Sequence, residues 1–205
     1  MIRISVTDLE SWRYHRNSDD QGLDSLLRRL AHVEPPSIEM QAGKALAKFF
    51  ESAQAGEQDA AVIDGWRILF DLDAEIDLPP IRELKIEEVF QTPSGQVTLV
   101  GQVDDLFGLT VRDQKLTKSF DVEEKYIDSL QWRAYLTMFR ARRFIYDVFV
   151  GRVSEKDHEV TIRDYHPLTF YSYPGMRADV ERAVRELAEI VGRYQPQIAA
   201  LKGAA

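Results

Sequence analysis

Cysteine is absent from all 205 residues. That excludes a disulfide scaffold, a thiol nucleophile, a thiolate zinc site and an iron–sulfur cluster. Long apolar runs are missing too. The longest stretch free of Asp, Glu, Lys and Arg, from Val89 to Val103, is interrupted by Gln91, Pro93, Ser94, Gly95 and Gln96, so no membrane span is expected. The opening residues Met1 to Asp8 lack the basic-then-apolar layout of a secretion leader, and a cytoplasmic address is the expectation. Repeats, heptads, low-complexity tracts, a P-loop and a Gly-x-Ser-x-Gly elbow are not found. His15, His32, His158 and His166 are scattered, with no metal-ligand spacing among them. Trp12, Trp66 and Trp132 read as core or rim aromatics rather than base-stacking platforms.

What is present suits one soluble domain over 1–205. The chain is 44% hydrophobic and 29% charged, close to globular averages, and no Gly/Ser- or Pro-rich linker divides it. Its net charge of −8 conceals an uneven distribution. Glu57 to Glu88 holds ten acids against Arg67, Arg82 and Lys85. Gln131 to Arg152 holds five arginines against Asp147 alone. An acidic total therefore does not exclude a polyanionic partner.

Periodicity predicts the elements. Leu23, Leu26, Leu27 and Leu30 fall at helical spacing before Pro35-Pro36. Ser37 can cap a second helix with Ile38, Ala42, Ala45, Leu46, Phe49 and Phe50 on one face. Ala60 to Asp77 reads as a helix and a loop ending at Pro79-Pro80. Three antiparallel strands follow: Lys85 to Gln91, Gln96 to Val103, and Leu109 to Leu116, with Pro93-Ser94-Gly95 and Gly108 at the turns. Asp121 and Glu124 form a capping-box pair opening a helix to about Phe139. A hairpin of Arg143–Val150 and Glu159–Arg163 and an amphipathic helix after Pro174-Gly175, fading near Gly192 and Pro196, complete the chain over about 140–200. That order suits a mixed sheet with helices on its faces.

The chemistry gathers in the second and third of these strands. Gly101-Gln-Val-Asp104 is followed by Asp113-Gln114-Lys115. Asp104 and Asp113, on antiparallel neighbours, can point at a common spot. Two carboxylates, the Gln114 carbonyl and water make a shell suited to Mg²⁺ or Mn²⁺. Lys115 shares a strand face with Asp113, where its ammonium could act on a water and on developing phosphate charge. (Asp/Glu)-x-Lys occurs three times in the chain, at Glu83, Asp113 and Glu123, so the triplet alone says little. Gln131 and Tyr135 then stand one helical turn apart. Arg140, Arg142 and Arg143 follow at the helix end, either complementing its dipole or binding phosphate.

Taken together, Gly101 to Asp104, Asp113-Gln-Lys115-Leu-Thr117 and Gln131 to Tyr135 resemble the PD-(D/E)XK nuclease superfamily, in the branch of RecB-type and phage recombination exonuclease domains. The likeness spans about 37–139, and Ile4 to Trp12 is similar to the family's entry segment. The resemblance implies a restriction-endonuclease-like mixed sheet flanked by helices, an α/β fold. It implies a Mg²⁺- or Mn²⁺-dependent, exonuclease-like deoxyribonuclease in recombination or repair, of phage or prophage type. Asp104, Asp113 and Lys115 would be catalytic, with Asp104, Asp113 and Gln114 on the metal. Gln131, Tyr135, Arg140, Arg142 and Arg143 would contact or position DNA. DNA is the implied partner; self-association and a recombinase or helicase that presents the DNA stay open. One departure stands out. The family's Gly-x-x-x-His appears as Gly43-Lys-Ala-Leu-Ala47, which leaves Glu51, one turn on, as the helix ligand to the metal. The alternative is a degenerate member that binds nucleic acid or protein without catalysis.

Overall fold

The computed structural model describes residues 2–18, 22–51, 60–72, 81–93, 95–120 and 124–204, without the side chain of 124. The elements in chain order are β1 (Ile2–Ser5), α1 (Val6–Asn17), α2 (Leu23–Ala31), α3 (Ile38–Glu51), β2 (Ala60–Ile63) and β3 (Trp66–Phe70). Then come β4 (Ile81–Thr92), β5 (Gly95–Phe107), β6 (Thr110–Thr117), α4 (Glu124–Ile127) and α5 (Leu130–Met138). The chain ends with β7 (Arg143–Ser154), β8 (Glu159–Tyr171), α6 (Met176–Arg193) and α7 (Gln195–Ala204).

Among the described residues, eight strands join one mixed sheet in the order β1-β5-β6-β7-β8-β3-β2, with β4 also paired to β5. β1/β5, β6/β7 and β3/β8 are parallel; the other pairs are antiparallel. The alternation of β7 shows how the layers form. Phe144, Tyr146 and Val148 enter a core shared with α1, α2, α5 and α6, including Leu9, Leu26, Leu136 and Leu187. Phe149 points the other way, against Phe49 and Phe50 of α3 and Trp66, Ile68 and Ile162. Each buried side chain of this size contributes about 1.5–3 kcal/mol, so both layers are needed.

The Ser37 cap forms: its hydroxyl accepts the Met40 N–H at 3.2 Å. Three expectations need correction. Ala60 to Phe70 is a β-hairpin, not a helix and loop. Asp64 and Gly65 both have positive φ (49° and 81°), the primed turn that matches strand twist. The Asp-Gly pair signalled it, but the acidic surroundings masked it. The helix ending near Phe139 is interrupted: α5 restarts at Leu130 because the Ser129 hydroxyl caps the Gln131 N–H. Pro196 lies in the first turn of α7, where a missing N–H costs nothing, and α7 packs on α2. The Asp121/Glu124 box, Ser94 and Pro79-Pro80 lie outside the described residues.

Candidate active site

β5 changes partner along one edge, with β4 filling the other. Residues 97–100 pair with Ile2–Ser5 of β1, and residues 105–107 pair with 112–110 of β6. Between these ladders, Gly101 to Asp104 face a gap, and their backbone neighbours need other partners. The Tyr135 hydroxyl donates to the Gln102 carbonyl at 2.6 Å. The Gln114 N–H of β6 donates to the Asp104 carboxylate at 2.7 Å. The Tyr135 ring comes so close that a Cβ on residue 101 would stand 2.6 Å from its Cε1, which accounts for Gly101.

Asp113 stands beside this gap with 3% of its surface exposed. One carboxylate oxygen accepts from the Gln131 amide at 2.7 Å, and the other is ion-paired with Lys115. Burial, then the charge of Asp113, pushes the Asp104 carboxyl up to about 8. Burial raises Asp113 as well, against the opposing pull of Lys115. Burial by itself would lower the Lys115 ammonium, but Asp113 and Asp104 outweigh it and its pKa is raised. The result is two carboxyls whose ionisation burial opposes, with the Lys115 ammonium acting on both and paired to Asp113.

A second layer orients the first, and the sequence reading missed it. Glu10 of α1 accepts from the Ser129 hydroxyl, from the Gln131 N–H at 3.3 Å and from Arg13 at 2.7 Å. The Tyr146 hydroxyl lies 2.8 Å from that of Ser129 and donates to the Gln131 side-chain carbonyl at 3.3 Å. Both ends of the Gln131 amide are thereby held, with its NH₂ aimed at Asp113. Glu10 and Ser129 are more than a hundred residues apart, and no spacing rule connects them. Lys115 and Tyr146 open onto a cleft of about 350 Å³ that also meets Tyr14, Lys125 and Tyr126.

The other face of β6 is braced separately. Arg112 makes two bonds to Asp147, at 2.8 and 2.7 Å, and the Tyr165 hydroxyl donates to Asp147 at 2.5 Å. The Gln114 side chain donates to Asp105 at 2.6 Å. Asp113 is thus flanked on its own strand by two residues tied to neighbouring strands.

The remaining expected residues are dispersed. Tyr135 is a buried support, 4% exposed, and not a surface contact. Glu51 is exposed at the end of α3, which runs antiparallel to β6: Glu39 pairs with Lys118, Gly43 faces Leu116, and the Glu51 carbonyl accepts from Arg82. Its charge raises the pKa of Glu83, after burial, and Glu83 in turn feels Asp113 and raises Asp104. Among the described residues no three His, Asp or Glu side chains gather around an ion-sized space. Arg140, Arg142 and Arg143 are exposed where β7 begins. Arg143 pairs with Thr110, three residues or roughly 10 Å along β6 from Asp113.

The donor set fits a small hard cation. Mg²⁺ is commonly held by one or two carboxylates with retained waters, and Asp104, Asp113 and the Gln114 carbonyl meet that requirement.

No protein-family description matches the chain, and no curated protein resembles it significantly in sequence. Solved structures do match in fold. SSO0001 superposes with a TM-score of 0.52 over 93% of this chain and 76% of its own, at 15% identity. LHK-Exo, solved in complex with dAMP, gives 0.53 over 98% of this chain and 94% of its own, at 11% identity. The fold is the restriction-endonuclease-like one, a central mixed sheet flanked by helices.

Proposed function

We propose that this chain is a nuclease of the PD-(D/E)XK superfamily that hydrolyses DNA phosphodiester bonds with Mg²⁺ or Mn²⁺. One observation carries the reading: Asp104, Asp113 and Lys115 meet at the interrupted edge of β5. The fold shared with LHK-Exo, a protein that binds dAMP, supports it. Asp104, Asp113 and the Gln114 carbonyl would hold the cation, which supplies Lewis acidity toward the phosphodiester and the attacking water. Lys115 neutralises charge that builds on the phosphoryl oxygens and is aimed by its pairing with Asp113. Gln131 keeps Asp113 in one rotamer, and Glu10, Ser129 and Tyr146 keep Gln131 in place. The cleft beside Lys115 admits the substrate. Exonucleolytic action of the RecB or phage type, with a role in recombination or repair, is the finer form of this proposal.

A second reading has its own observation. Ala47 offers no donor where the family's helix ligand stands, which favours a domain that kept the fold and binds nucleic acid without cleaving it. Linear DNA incubated with Mg²⁺, Mn²⁺, Ca²⁺ or excess EDTA separates the two. Cleavage with Mg²⁺ or Mn²⁺ alone is expected, and Lys115→Ala should lower turnover by about 10²-fold or more while DNA binding persists. Undiminished cleavage in EDTA, or by Lys115→Ala, would refute the assignment.

A further inference from the structure

The register of the sheet lines up one row of residues across four strands. Phe107 pairs with Thr110, Thr110 with Arg143, and Arg143 with Tyr171. Directly paired residues share a sheet face, and the Arg143 guanidinium confirms it by donating to the Thr110 hydroxyl at 3.1 Å. The two aromatics at the ends of the row are among the most exposed large apolar side chains: Phe107 at 64% and Tyr171 at 65%. They stand about 14 Å apart, three interstrand spacings. Arg142 adjoins the row, its N–H and that of Arg143 both donating to the Leu109 carbonyl. No acidic side chain belongs to the row, and neither Arg142 nor Arg143 has an ion-pair partner among the described residues. On the same face, two residues along β6, Arg112 is locked to Asp147, so the row rests on a rigid base.

We infer that this row is a docking platform for single-stranded DNA, separate from the Asp104–Asp113 site. Aromatics standing clear of the surface, with Arg143 between them, Arg142 beside it and no acid in the row, match what an unpaired strand offers: bases to stack and phosphates to neutralise. A duplex keeps its bases stacked on each other and cannot use Phe107 and Tyr171 in this way. A protein partner would favour a continuous apolar patch over one divided by cations. The row shares the Arg112 face of β6, opposite Asp113 and Lys115, and lies at the strand ends roughly 10 Å along β6 from Asp113, so a bound strand reaches the site only by passing round that end of the sheet. This inference takes DNA as the polymer from the proposed function but does not need cleavage.

Binding of labelled oligo(dT), and of an abasic oligonucleotide of equal length, is measured by fluorescence anisotropy in EDTA, where hydrolysis is not expected. The full chain should prefer oligo(dT). Phe107→Ala with Tyr171→Ala should remove that preference and weaken oligo(dT) binding by about fivefold or more per aromatic. Arg142→Gln with Arg143→Gln should weaken both ligands alike and lower the salt slope by about 1.4. Because these side chains are exposed, unchanged melting temperatures are expected. As a second readout, Tyr171→Trp should show indole fluorescence quenched by oligo(dT). Equal affinity for the two ligands, or wild-type affinity in the double aromatic variant, would overturn the platform even where Mg²⁺-dependent cleavage stands. A chain that fails to cleave but shows the stacking preference would sustain the platform and overturn the nuclease.

Discussion

At the scale of single residues, the sharpest constraint is the pair Gly101 and Tyr135. The glycine is required because the tyrosine ring occupies the space of its side chain, and the tyrosine because its hydroxyl serves a carbonyl released from the ladder. Gly101→Ala should destabilise the fold by about 1–3 kcal/mol through overpacking, and Tyr135→Phe by about 1–2 kcal/mol through the unpaired carbonyl. Urea denaturation of both variants checks this. If Gly101→Ala leaves the midpoint unmoved, the close approach of the ring is wrong. Both residues were visible in the sequence as a motif. Their role as mutual supports was not, because thirty-four positions separate them and only the fold sets the ring under the strand.

At the scale of elements, β6 does the positioning. Its odd-numbered residues Asp113 and Lys115 form the site, while Arg112 and Gln114 on the opposite face tie it to β7 and β5. A buried ion pair broken on one side leaves a charge without compensation. Arg112→Met should therefore cost about 3–5 kcal/mol, and adding Asp147→Leu should recover much of that loss. A double-mutant cycle in denaturant measures the coupling. Strictly additive losses would mean that the pair does not brace the strand. The alternation of β6 was legible from its sequence; the partners on its hidden face were not, since Asp147 and Tyr165 lie on strands whose register follows from packing.

For the whole molecule, a cation held by Asp104 and Asp113 only in the folded chain should make stability depend on divalent cations. Mn²⁺ at about a hundred times its dissociation constant would add about 2.7 kcal/mol, a rise of roughly 5–10 °C in melting temperature for a chain of this size. Asp104→Asn should abolish the rise. An equal Mn²⁺ effect in that variant would place the cation elsewhere. At the same scale the expected helix α3 crosses the sheet beside β6, and its end brings the Glu51 carbonyl to Arg82.

Local spacing in the chain determined most helices, the three consecutive strands and the carboxylate–lysine motif, because side-chain periods of 3.6 and 2 are written in neighbouring residues. It also determined that no thiol chemistry is available. Only tertiary structure decided that β5 divides its edge between β1 and β6 and so opens a gap at Asp104. It alone brought Glu10 and Ser129 to Gln131 and aligned Phe107, Arg143 and Tyr171 in one row. Strand order and register are set by the burial of two whole layers. That free energy is collective, and no window of local sequence contains it.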